Sequence, residues 1–145
     1  MANPLQAQGT INRLKASIVI PGLPGLNVTS PFLGKAGITL ALNGPITTRI
    51  NTMTGQVTSP EPYQLAVVTV NLLRTQALGA AYKAQLEADS LIGDITVHPD
   101  TPNFGVYPFS NCSIDDVREQ SYAGEDPGFV VTIGGIYYIN NFLWN

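Results

Sequence analysis

Residues 63–99 constrain the chain most, because the hydrophobic period there changes twice. Ala66, Val68, Val70 and Leu72 alternate on one face, the period-two pattern of a half-buried strand. Leu65, Val67, Thr69 and Asn71 leave the other face only partly polar. From Gln76 to Asp89 the residues turn to Ala, Leu, Gln, Lys and Glu, all good helix formers. Thr75 stands where a side chain can cap the first free N–H groups. Leu78, Ala81, Tyr82, Gln85 and Leu86 recur at helical spacing, with Lys83 and Glu87 on the opposite side. The pattern predicts a helix over 76–90, ended by Ser90 and Gly93, then an extended run over 94–97 that Pro99 stops. No second helix of this strength is written in the chain. A helix this short is marginal in water by itself, so its stripe calls for a sheet to pack on.

The remaining segments supply that sheet. Residues 1–12 are polar and aperiodic and read as an N-terminal arm. Residues 14–20 and 38–42 read as strands, 26–29 as a short strand, and 21–26 and 31–37 as turns or loops. Residues 43–62 are rich in Thr and poor in large apolar side chains. They read either as a surface loop or as a projecting β-arm with Thr54-Gly55 at its tip. Residues 109–119 read as a strand, and 121–128 carry Gly, Asp and Pro where a turn wants them. Residues 129–140 are apolar on both faces and predict a strand covered on both sides. Gly134-Gly135 within it suggests a bend or bulge. Phe142, Leu143 and Trp144 follow, and side chains of this size call for packing to hold them. The sum is one domain over 1–145, mainly β with roughly seven or eight strands and a single flanking helix.

Charged residues are only 12% of the 145, against a typical share of about 25%. Either the surface is a neutral one of Thr, Asn, Gln and Ser, or neighbouring subunits cover much of it. The net charge is −3, and the seven basic residues are scattered, so no patch suits sequence-specific nucleic-acid binding. Cys112 is the only cysteine, so no disulfide can form within the chain, which suits a reducing compartment. The first residues lack the apolar core of a signal peptide, and no apolar run approaches the roughly 20 residues of a membrane span.

Little here points to catalysis. His98 has Asp94 and Asp100 near it, but no second histidine or ligand-spaced cysteine supports a metal site. Asp115 and Asp116 are adjacent, which on a strand sends them to opposite faces. Cys112 reads as a small core residue. Phosphate-binding and nucleophile-elbow motifs are missing. The expectation is a protein that is not an enzyme and takes no cofactor. Tyr63, Tyr107, Tyr122, Tyr137 and Tyr138 can be imagined as a ligand platform in a small binding domain, although strand aromatics are more often core.

Three segments carry a family likeness: LLRTQALGAAYKAQLEADSLIGDITVHPD (72–100), FSNCSIDDV (109–117) and GFVVTIGGIYYINNFLWN (128–145). Together they resemble the tail tube proteins of contractile-tailed bacteriophages. The resemblance implies an antiparallel β-sandwich or half-open barrel flanked by one helix. It implies hexameric rings whose sheets join into a continuous inner barrel and which stack into a tube. The implied partners are further copies of the chain, a sheath protein outside, baseplate and tail-terminator proteins at the ends, and DNA or a tape-measure protein in the lumen. The implied location is the virion tail, assembled in the host cytoplasm. The tube subunit of type VI secretion systems and baseplate tube-initiator proteins are similar alternatives. On this reading Leu78, Tyr82 and Leu86 fix the helix to the sheet. Ile46, Met53, Thr54 and Gln56 lie on the arm that reaches the adjacent ring, and Asp115, Asp116 and Glu119 are candidates to face the lumen.

Overall fold

The computed structural model describes residues 5–145, so the arm expected over 1–12 begins outside the described residues. The alternation in residues 63–73 produces the central strand β5 (Tyr63–Leu73). Ala66, Val68, Val70 and Leu72 are buried at its inner face. Seven further strands are β1 (Ser17–Val19), β2 (Leu33–Asn43), β3 (Thr47–Asn51), β4 (Gln56–Pro60), β6 (Leu91–His98), β7 (Tyr107–Val117) and β8 (Gly128–Tyr138). The helix α1 spans Ala77–Ala88. Six strands form one antiparallel sheet in the order β1-β6-β7-β8-β5-β2, and β3 pairs only with β4.

The sheet is curled into a half-barrel. Val97 and His98 on β6 line the same cleft as Ile38 and Leu40 on β2, so the two edges come round toward each other. The concave face holds the core, with Ile18, Val68, Val70, Ile95, Phe109, Val131 and Ile133 all buried. Ile20, Leu26 and Val28, from the segment between β1 and β2, are buried with them and close the mouth of the curve. That segment is a 3-10 turn at Pro24–Leu26 plus a single bridge from Val28 to Ile18, where the pattern had suggested a short strand. The first strand is also shorter than expected, since Leu14 is exposed and pairing starts at Ser17. β2 is longer than expected, taking in residues 33–37. Extra residues bulge out between Leu33 and Ile38, and the Asn71 side-chain amide donates to the Gly37 carbonyl at 2.8 Å.

Much of the curl originates in β7. Asn111 and Cys112 together face Gly135, and Asp115 is an extra residue between Ile114 and Asp116. Such bulges bend a strand and increase its twist. Asn111 takes a positive φ of 51° to make the first one. The bend that the sequence suggested at Gly134-Gly135 is therefore in the neighbouring strand, while β8 itself keeps an unbroken register with β5. The glycines are needed for space: a Cβ on Gly135 would lie 2.5 Å from Cys112 Sγ and 3.3 Å from Phe109 Cβ. A Cβ on Gly134 would meet the Asp115 carboxylate.

The helix does not cover the outer face of the sheet. Leu78, Gly79 and Tyr82 are buried, against the Pro24–Leu26 turn and the end of β5. The Tyr82 hydroxyl, fully buried, donates to the Leu26 carbonyl at 2.9 Å. Gln76, not Thr75, occupies the N-cap, and no side chain caps the helix. Because α1 sits at this end, β8 is buried on one face only. Val130, Thr132 and Ile136 stay half-buried and Tyr138 is exposed, which corrects the expectation of a strand covered on both sides.

Three substitutions test this packing. Gly135→Ala should cost about 1–3 kcal/mol, because Cys112 and Phe109 cannot withdraw. Gly134→Ala should stay within about 0.5 kcal/mol, because the exposed Asp115 side chain can swing away. Tyr82→Phe should cost about 1 kcal/mol, leaving the Leu26 carbonyl unpaired. Urea unfolding of the three variants measures all of these.

Candidate assembly surface

Residues 43–62 form an ordered hairpin, not a structureless loop. Thr47, Thr48 and Thr58 suit extended backbone, and Thr52 closes the tip: its N–H donates to the Gly55 carbonyl (2.8 Å) and its Oγ1 accepts from the Gly55 N–H (3.1 Å). Cross-strand register places Thr48 opposite Ser59 and Ile50 opposite Val57 on one face. Ile46 extends that face at the root. None of its apolar members is covered: Ile46, Ile50 and Val57 are each more than half exposed, and Met53 at the tip is 100% exposed. Thr54 and Gln56 are exposed beside it.

Two further surfaces lack a covering. β2 forms one edge of the six-stranded sheet, and β1, only three residues long, forms the other. The convex face is almost free of charge. Its rows, read across β2, β5, β8 and β7, are Thr39-Thr69-Thr132-Asp116 and Asn43-Leu65-Ile136-Ser110. Leu65 is 56% exposed. Asp115 and Asp116 are both exposed on this side, because the bulge at Asp115 breaks the alternation that would have separated them. Ser113 Oγ donates to Asp115 Oδ1 at 2.6 Å. Glu119 lies beyond the end of β7 and is not on a strand, contrary to its placement from sequence.

The other residues singled out by sequence scatter. Leu86 is half-buried in a groove of about 400 Å³ beside α1, lined also by Arg74, Lys83, Tyr122 and Phe129. Tyr107 and Tyr137 pack edge-on at 5.4 Å beside Phe109, whereas Tyr122 lies over the Arg74 guanidinium at 5.0 Å. Tyr63 pairs with Tyr138 at the other end of β8 from Tyr122, beside Tyr137 but on the opposite face of the strand. The five tyrosines thus occupy three separate places and build no common platform. Asp94 Oδ1 accepts from the Asn111 N–H, and Asp100 accepts from the Asn12 N–H through its carbonyl. Among the described residues, no three His, Cys, Asp or Glu are grouped to hold a metal.

The residues after β8 also differ from the sequence expectation. Phe142, Leu143 and Trp144, in a 3-10 turn at Asn141–Trp144, are 43–64% exposed rather than packed. They sit at the root of the hairpin, where Trp144 Nε1 donates to the Pro62 carbonyl at 3.1 Å and the indole meets Tyr138 edge-on at 5.2 Å. The apolar run after β8 was the available signal, but periodicity could not say that its side chains face out.

No protein-family model matches this sequence, and no curated protein matches it. Among solved structures the chain is similar to the tube-terminating cap of the anti-feeding prophage, with a TM-score of 0.46 and 14% identity. The alignment covers 94% of this chain and 92% of that one.

Cys112 is 1% exposed, and burial pushes its thiol up to about 11, with Asp94 and Asp115 adding to the rise against a hydrogen bond at Ile95. Burial moves the Tyr82 hydroxyl in the same direction. Both groups hold their protons more tightly folded than unfolded. Their contribution to stability is complete below the unfolded pKa and is lost as pH rises through the folded one. Stability should therefore fall between about pH 9 and 11, and Cys112→Ala should flatten part of that fall in urea titrations at several pH values.

Proposed function

We propose that this chain is a structural tail tube subunit of a contractile-tailed phage, a protein without catalytic machinery. Six copies close a ring and the rings stack into a tube. The observation that carries the reading is the β3–β4 hairpin, which stands apart from the sheet with Ile46, Ile50, Met53 and Val57 uncovered. Exposed apolar side chains grouped on one face of a rigid element mark a contact surface. Their position on a projecting arm suits contact with the next ring.

The free sheet edges support ring closure. A long unpaired edge invites pairing with another chain, and joining β2 of one copy to the edge of the next removes it. The low charge of the chain agrees with a subunit covered mostly by its own copies. The convex face, where the exposed charges Asp94, Asp115 and Asp116 are acidic, suits a lumen through which DNA slides, since carboxylates do not hold phosphate. A sheath protein lies outside the tube on this reading, and baseplate and terminator proteins cap its ends. The tube sits in the virion tail after assembly in the host cytoplasm.

Negative-stain electron microscopy and sedimentation velocity on concentrated protein test the reading. Rings or hollow tubes are expected. Ile50→Lys with Val57→Lys, or deletion of residues 52–56, should leave a folded monomer with unchanged thermal unfolding that forms no stacked tube. Tubes of normal length from either variant would remove the hairpin as the stacking device. In phage carrying Asp115→Lys with Asp116→Lys, DNA ejection should slow, and added salt should relieve the effect. Unchanged ejection would take these carboxylates out of the lumen.

A further inference from the structure

The hairpin is a separate two-stranded sheet, and two-stranded hairpins are marginal by themselves. Its orientation must come from its roots, and both roots are held by side chains, with one backbone bond beside them on the β4 side, from the Ile139 N–H to the Pro62 carbonyl at 3.2 Å. On the β3 side, Gln64 Nε2 donates to the Gly44 carbonyl at 2.7 Å. Gln64 is 4% exposed and is the one buried amide or charged side chain among the described residues. A buried amide on an otherwise apolar strand face is costly unless it is paired, so its place on β5 calls for a reason. On the β4 side, Asn140 Nδ2 donates to the Glu61 carbonyl at 2.7 Å, and Trp144 Nε1 donates to the Pro62 carbonyl at 3.1 Å. Asn140 has a positive φ of 49°, a conformation that Asn tolerates and most residues do not. That backbone turns the chain from β8 into the Asn141–Trp144 turn and brings Trp144 back over Pro62.

We propose that Gln64, Asn140 and Trp144 are positioning residues that clamp both roots of the hairpin and set its angle to the half-barrel. The Asn141–Trp144 turn is then a brace, which accounts for a turn whose large side chains stay exposed while its indole N–H is engaged. A preset arm loses less conformational freedom on docking. The consequence for assembly rests on the proposed role of the hairpin; the clamp itself does not.

Three variants remove the donors while sparing the fold. Gln64→Met keeps length and burial. Asn140→Gly keeps the positive φ. Trp144→Phe keeps an aromatic ring against Tyr138. Amide residual dipolar couplings of the free, full chain report the hairpin's orientation directly. In the wild type, couplings from β3 and β4 should fit the same alignment as the six-stranded sheet. In the Asn140→Gly/Trp144→Phe double variant they should shrink toward zero while those of the sheet and the thermal midpoint hold, and adding Gln64→Met should deepen the loss. Hairpin couplings that still fit the sheet's alignment in the triple variant would overturn the clamp. Each lost hydrogen bond should also raise the concentration needed for self-association by up to about tenfold. A loosened hairpin with unchanged association would uphold the clamp and count against the hairpin as the docking element.

Discussion

Everything in this molecule depends on β5. It pairs along its whole length with β8 and along most of it with β2, and its inner residues Ala66, Val68, Val70 and Leu72 form the floor of the core. Its far end leads into α1 and its near end leads out of the hairpin. It also carries Gln64 and Asn71, whose amides hold the Gly44 and Gly37 carbonyls at two irregular points of the neighbouring chain. One strand thus sets the core, the edge and the arm together.

The half-barrel solves one problem and leaves another. Curling through the β7 bulges brings the concave face round a single hydrophobic core, with Ile20, Leu26 and Val28 filling the mouth. The helix then has no sheet face to cover and packs at the end, tied by Tyr82 to Leu26. The convex face, the β2 edge and the hairpin are left without cover. On the proposed function, further copies of the chain cover those surfaces. The fold and the proposed assembly follow from the same distribution of apolar side chains.

Local pattern was legible wherever spacing alone carried the physics. The β5 alternation, the helix over 77–88, the β8 strand and the turn at residues 52–55 could all be read from neighbouring residues. What could not be read depended on distant partners. The extra residues of β7 are visible only against the register of β8, and the start of β2 at Leu33 depends on its pairing with Leu72. In the candidate assembly surface, Ile46 and Met53 were legible as arm residues, but the unpacked face they share with Ile50 and Val57 was not. Glu119 could be assigned to a strand by sequence because nothing local marks Val117 as its end.

The sequence by itself determined the alphabet of elements: a strand, a helix and a strand in the middle, β-forming segments on either side, and a low share of charge. Those properties are set by side chains a few residues apart. Tertiary structure decided which face each strand buries, that β7 and not β8 carries the bulges, that α1 caps an end, and that Phe142, Leu143 and Trp144 stay outside while Trp144 holds Pro62. The physical reason is that register and curvature are long-range quantities. They are fixed by which of many possible strand pairings buries the most apolar surface with every buried side-chain polar atom satisfied, a condition the described residues meet.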